Sequence, residues 1–165
     1  NPRAKSQKKG VATKAVAEPY HLDLRGQTVL VVDDSEDNRS LISFFLRSSG
    51  AKVIEACDGE EGLKKVFSER PDILLVDIQM PKKNGFDMIN EVRARHCDVP
   101  AIALTAFSLG EAKEKCLRAG FDLHLGKPVL ADQLLKAIDS SSGLRKLSRN
   151  TIKAKRRTVP ERAKS

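Results

Sequence analysis

Asp72-Ile-Leu-Leu-Val-Asp77, followed by Ile-Gln-Met-Pro81, is the stretch that decides the fold. Four aliphatic residues in a row, without polar alternation, suit a strand covered on both faces, as in parallel sheets. The run ends in a carboxylate, which is costly to bury unless its charge is offset. Two further runs share this character, Val29-Leu-Val-Val32 and Ala101-Ile-Ala-Leu104. Between Gln27 and Ser140, strand candidates at Thr28–Asp33, Lys52–Ala56, Asp72–Asp77, Val99–Thr105 and Asp122–Leu125 alternate with stretches of helical periodicity. The pattern predicts an α/β fold, a doubly wound five-stranded parallel sheet in which crossovers are right-handed and ligands sit outside the carboxyl ends of the strands.

Punctuation between the elements agrees with this reading. Asp58 with Glu61, and Ser108 with Glu111, have capping-box spacing ahead of apolar repeats, while Gly50 and Gly120 stand where helix ends need a left-handed residue. The chain has 165 residues, room for one domain. Aromatics are 4% with no Trp, so the core is aliphatic and base-stacking platforms are not expected.

The net charge of +8 is unevenly distributed. Residues 1–25 carry six basic against two acidic side chains, residues 26–140 fifteen against nineteen, and residues 141–165 nine against one. The basicity therefore belongs to the ends, which have few core-forming residues. The expected organisation is a flexible basic linker over 1–25, a folded domain over 26–141 and a basic, disordered tail over 142–165. That tail is too short for a helix-turn-helix and has no interleaved aromatics, so a solvated tail is favoured over direct nucleic-acid binding. No apolar run is long enough for membrane insertion, and a cytoplasmic location is expected. Cys57, Cys97 and Cys116 have no close pairing and read as reduced thiols. A first residue other than Met suggests a piece of something longer.

The expected strand ends are all polar: Asp33-Asp34, Asp77, Thr105, and Lys127-Pro128 just past the fifth. With strand order 2-1-3-4-5 these groups share one pocket. Three clustered carboxylates repel, and a hard divalent cation with oxygen ligands, Mg²⁺, removes that penalty. Asp77 would then be a nucleophile taking a phosphoryl group as an acyl phosphate, with Lys127 and Thr105 binding phosphoryl oxygens. Each residue also has a plainer role. Asp33-Asp34-Ser35 could cap the following helix, Thr105 could be a strand residue, Lys127 a surface cation and Pro128 a helix starter. Asp77 is the hardest to explain structurally, and the joint occurrence favours function.

Val-Val-Asp33-Asp34-Ser, Val-Asp77-Ile-Gln79-Met-Pro with Asn84-Gly-Phe beyond it, Leu-Thr105-Ala106 and Gly-Lys127-Pro128 resemble, in this order, the receiver domain of two-component response regulators. The match covers residues 28–139. The resemblance implies the flavodoxin-like receiver fold, with Asp77 as phospho-acceptor and Asp33 and Asp34 as the Mg²⁺-binding pair. It adds the backbone carbonyl of Gln79 as a metal ligand, and the Gln79 side chain as an influence on acyl-phosphate hydrolysis. Thr105 takes the part of the switch hydroxyl, Ala106 that of the small residue leaving room for phosphate, and Lys127 that of the lysine before a commonly cis proline. His124 departs from the pattern, standing at a switch position where the family mostly has Tyr or Phe. The implied partners are a histidine kinase or histidine phosphotransfer domain and an output protein that the sequence does not identify; whether phosphorylation drives dimerisation is left open. Such a domain catalyses only its own phosphorylation and dephosphorylation. Leu22-Asp-Leu-Arg-Gly-Gln-Thr28 resembles linkers that follow kinase ATP-binding domains, so the receiver of a hybrid kinase is one alternative. A phosphate-cleaving hydrolase would want Asp-x-Asp after the first strand, which adjacent Asp33-Asp34 does not supply. A phosphorylation-independent interaction module is disfavoured because every active-site position is filled.

Overall fold

The computed structural model describes residues 18–106 and 109–142. Strands and helices alternate as β1 (Thr28–Val32), α1 (Glu36–Ser48), β2 (Lys52–Ala56), α2 (Gly59–Glu69), β3 (Ile73–Asp77), α3 (Gly85–Ala94), β4 (Ala101–Thr105), α4 (Leu109–Ala119) and β5 (Leu123–Gly126). Residues 131–142 are helical and form α5. All pairings are parallel and the sheet order is β2-β1-β3-β4-β5, as the alternating pattern requires.

The unbroken aliphatic runs are the three central strands, and their side chains divide by parity. Leu30, Val32, Leu74, Val76, Ala101 and Ala103 face α2, α3 and α4, packing with Leu63, Val66, Met88, Ile89, Val92 and Cys116. Val29, Val31, Ile73, Leu75, Ile102 and Leu104 face α1 and α5, packing with Ile42, Leu46, Leu134 and Ile138. Strand periodicity of two thus makes two cores from one sheet. The edge strands β2 and β5 are only partly buried, consistent with their mixed composition.

β2 has the expected limits, the other strands differ from theirs by one or two residues, and local chemistry explains some of the differences. The Asp72 carboxylate accepts from the amide of Thr28 at 2.8 Å, which caps the start of β1 from outside β3. Pro100 has no N–H to donate, so β4 starts one residue after it. At the helix starts, Asp58 accepts from the Glu61 amide at 2.8 Å, and Glu61 Oε2 in turn accepts from the Cys57 amide at 2.9 Å. Gly50 and Gly120 do adopt the left-handed conformation, with φ of 94° and 117°. Arg70, at 47°, does so at the end of α2 without being glycine. The proposed Ser108 cap lies outside the described residues.

Residues 20–25, read from the sequence as part of the basic lead, lie on the folded unit. Leu24 is buried with the α1 and α5 core, and its amide donates to the carbonyl of Ser49 at 2.8 Å. The domain start expected at residue 26 therefore left out a core side chain, because an isolated Leu outside any periodic segment carries no strand or helix signal. Cys57, Cys97 and Cys116 are free thiols, the last buried in the core. No described helix is long and apolar enough to cross a membrane.

Position on the sheet sets the cost of truncation. Leu30→Ala, at a side chain with no exposure, should lower unfolding free energy by about 2–5 kcal/mol, whereas Leu130→Ala, 56% exposed, should change it by roughly 0.5 kcal/mol or less. Urea titrations of the two variants check the contrast, and similar costs would contradict this account of the core.

Candidate functional site

The carboxyl ends of β1, β3 and β4, with the turn after β5, form one crevice. Register places Val32 beside Val76 and Asp77 beside Leu104, so Asp33, Asp77 and Thr105 emerge together. Carboxylate oxygens of Asp33, Asp34 and Asp77 all lie within 4.8 Å of one another. Asp33 and Asp77 are buried while Asp34 is exposed at the mouth. Lys127 Nζ lies 3.1 Å from Asp33 Oδ2 and 3.0 Å from Asp77 Oδ2, bridging the two buried acids. Its backbone N–H donates to the Thr105 carbonyl at 2.8 Å, which ties the lysine to the end of β4, and the Lys127–Pro128 bond is cis.

The remaining carboxylate oxygens are held by backbone. The amide of Ser35 donates to Asp33 Oδ1 at 2.9 Å, and that of Gln79 to Asp77 Oδ1 at 3.0 Å. Ser35 also caps α1, its hydroxyl accepting from the Asn38 amide at 3.4 Å, so capping and site building share this turn. Two features went unnoticed in the sequence. Arg39, one turn into α1, donates to the Asp33 carbonyl at 2.7 Å. Gly85 starts α3 so close to β3 that a Cβ there would lie 2.6 Å from the Asp77 carbonyl oxygen. The quoted Asn84-Gly85 pair was the available signal for the second, since close backbone approach is one reason for glycine. An arginine four residues after a helix cap offers no comparable signal.

The electrostatics follow from burial. Loss of solvent raises the Asp77 carboxyl pKa above its ordinary value; hydrogen bonds from Lys127 and the Gln79 amide oppose this, and the charge of Asp33 adds to the rise. For Lys127, burial disfavours the ammonium, but hydrogen bonds to Asp77 and Asp33 more than offset it and the pKa rises. His124, paired with Ala103 across the β4–β5 ladder, is partly buried, and its Nε2 has no hydrogen-bond partner among the described residues. Thr105 is fully buried and Gln79 exposed. A concavity of about 680 Å³ opens elsewhere, at the opposite end of the sheet, lined by Phe67, Arg70, Arg95 and His96 among others. It contains none of the clustered acids or Lys127.

Oxygen donors clustered this closely suit a hard cation such as Mg²⁺. A doubly wound parallel sheet with acids, a hydroxyl and a lysine at its carboxyl edge defines an α/β protein equipped for phosphoryl chemistry on a carboxylate. The family model of the response regulator receiver domain matches residues 29–139, and the chain belongs to that family. It is 39% identical over 112 residues to an uncharacterized 14.6 kDa protein of Leptolyngbya boryana, spanning 67% of this chain and 86% of that protein. It is 36% identical over 110 residues to the sensor histidine kinase RcsC of Escherichia coli, 67% of this chain but 12% of the kinase. Among solved structures, the Vibrio cholerae chemotaxis protein CheY4 superposes with a TM-score of 0.66 at 32% identity, covering 70% of this chain and 98% of that one. Receiver domains are phospho-acceptor signalling modules of two-component systems, and the family binds Mg²⁺ at an acidic pocket.

The raised Asp77 pKa has a direct consequence for stability. The folded state holds this proton more tightly than the unfolded chain. The associated stability is therefore full below the ordinary carboxyl pKa of about 3.9 and is lost as pH rises through the higher folded value. Without divalent metal, the thermal midpoint of Asp77→Asn should gain on wild type as pH rises through that window and then stay level. A gap independent of pH would contradict the assignment.

Proposed function

We propose that Asp77 accepts a phosphoryl group from phosphohistidine on a histidine kinase or histidine phosphotransfer domain, and that the resulting acyl phosphate alters the surface formed by β4, α4 and β5. The single observation carrying this reading is the convergence of one ammonium, Lys127 Nζ, on the carboxylates of Asp77 at 3.0 Å and Asp33 at 3.1 Å. An Asp77 oxygen attacks phosphorus, the P–N bond breaks, and the donor imidazole leaves with the bonding pair and takes up a proton. The transition state is loose and negatively charged, so positioning and charge neutralisation carry the rate. The Gln79 amide keeps the other Asp77 oxygen oriented. Lys127 pairs with one phosphoryl oxygen, the Thr105 hydroxyl donates to another, and Ala106 leaves room for the group.

Asp33, Asp34, Asp77 and the Gln79 carbonyl are the residues that would hold Mg²⁺. Bound there, the ion would neutralise the clustered acids and the charge on the phosphoryl oxygens. Thr105 and His124 are the switch residues, and His124 Nε2 has no hydrogen bond among the described residues to hold it in place. The phospho-accepting unit is residues 26–142 with the docked lead from residue 20, and the chemistry does not need the basic residues 143–165. The chain acts in the cytoplasm as a phospho-acceptor that modifies only itself, rather than as an enzyme turning over a separate substrate. A receiver within a hybrid kinase is a second reading of its context, favoured by the similarity to RcsC.

Incubation with acetyl phosphate and Mg²⁺ should add one phosphoryl mass to wild type and to a chain ending at residue 142, and none to Asp77→Asn. Chelation with EDTA should suppress the gain. Labelling of both wild type and Asp77→Asn, or of neither, would overturn the assignment, and steady hydrolysis of an added phosphate ester would favour a hydrolase. Once labelled, Gln79→Ala should lose the group at a rate at least twofold different from wild type, followed by intact mass over time; equal lifetimes would remove Gln79 from the chemistry.

A further inference from the structure

The outward stripe of α5 is already occupied. Asp132, Lys136 and Asp139 recur at intervals of four and three, so they line one face of the helix. Tyr20 meets all three. Its amide donates to Asp132 Oδ1 at 3.2 Å, its hydroxyl donates to Asp139 Oδ2 at 2.5 Å, and Lys136 Nζ stands 5.7 Å from its ring centroid. Four residues later, buried Leu24 and its hydrogen bond to Ser49 fasten the same segment beside the end of α1. Tyr20 is the only tyrosine in the chain.

We infer that residues 20–24 are a self-docked strap and that the Asp132–Lys136–Asp139 stripe is an interaction surface for an extended segment, occupied here by the chain's own. The chemistry of the stripe defines what fits. The two carboxylates want donors, a hydroxyl at Asp139 and a backbone N–H at Asp132, and the ammonium between them wants an aromatic face or another electron-rich group. A segment carrying an acid in place of Tyr20 would be repelled by both ends. A partner that reads this face of α5 must therefore displace the strap.

Arg25 lies just beyond the strap, and trypsin needs a locally opened backbone to cut there. Cleavage therefore tracks the open population when reclosing is fast. In the full chain without phosphodonor, Tyr20→Ala should raise the rate of cleavage after Arg25 by about fivefold to tenfold. Tyr20→Phe and the exposed-site variant Asp139→Asn should give smaller increases. Deuterium uptake at the Leu24 amide should rise in the same order while β3 amides stay protected. Equal cleavage in all four proteins overturns the strap. Loss of β3 protection together with that of Leu24 also overturns it, since global opening would then explain the cutting. Wild-type protection that grows with protein concentration would mean docking onto a second copy, against the self-docked arrangement. None of these readouts depends on Asp77 chemistry, so failure here and failure of the phospho-acceptor assignment are separable.

Discussion

Two buried carboxylates sharing one ammonium is the interaction on which the rest of this structure depends. Asp33 and Asp77 sit at the ends of adjacent parallel strands, and leaving both ionised without a counter-charge would be strongly unfavourable in so dry a crevice. Lys127 supplies that charge from the turn after β5, across the sheet. Even so, the Asp77 carboxyl stays above its ordinary pKa, so the arrangement is incompletely compensated. That residual cost is what a bound cation would relieve, and it couples the electrostatics of the site to the scaffold.

The scaffold is organised to hold this strain in place. Three aliphatic strands packed on both faces give a rigid base, and the polar residues come only at their carboxyl ends. The turns that leave those ends do double duty. Ser35 caps α1 while its amide orients Asp33, and Gly85 lets α3 begin against the backbone of Asp77. Local helix starts and site geometry are therefore the same contacts, and a change in one is felt in the other.

Much of the fold was readable because strand and helix periods differ and the central strands have no polar alternation. Asp77 stood out since a carboxylate closing an apolar run has few structural excuses. What escaped notice shares a cause: Leu24, Arg39 and Tyr20 act through partners far along the chain or through single contacts, which leave no periodic trace. Arg70 likewise ends α2 in a left-handed conformation with no glycine to mark the position in the sequence.

By itself, then, the sequence determined the parallel α/β class and the set of polar groups at strand ends, because burial pattern and residue chemistry are local properties. Only the tertiary structure decided that Lys127 stands between Asp33 and Asp77, that the Asp77 pKa rises, that His124 Nε2 has no partner among the described residues and that the lead segment lies on α5. These depend on distances between residues remote in the chain, and desolvation and Coulomb energies exist only once the fold has set those distances.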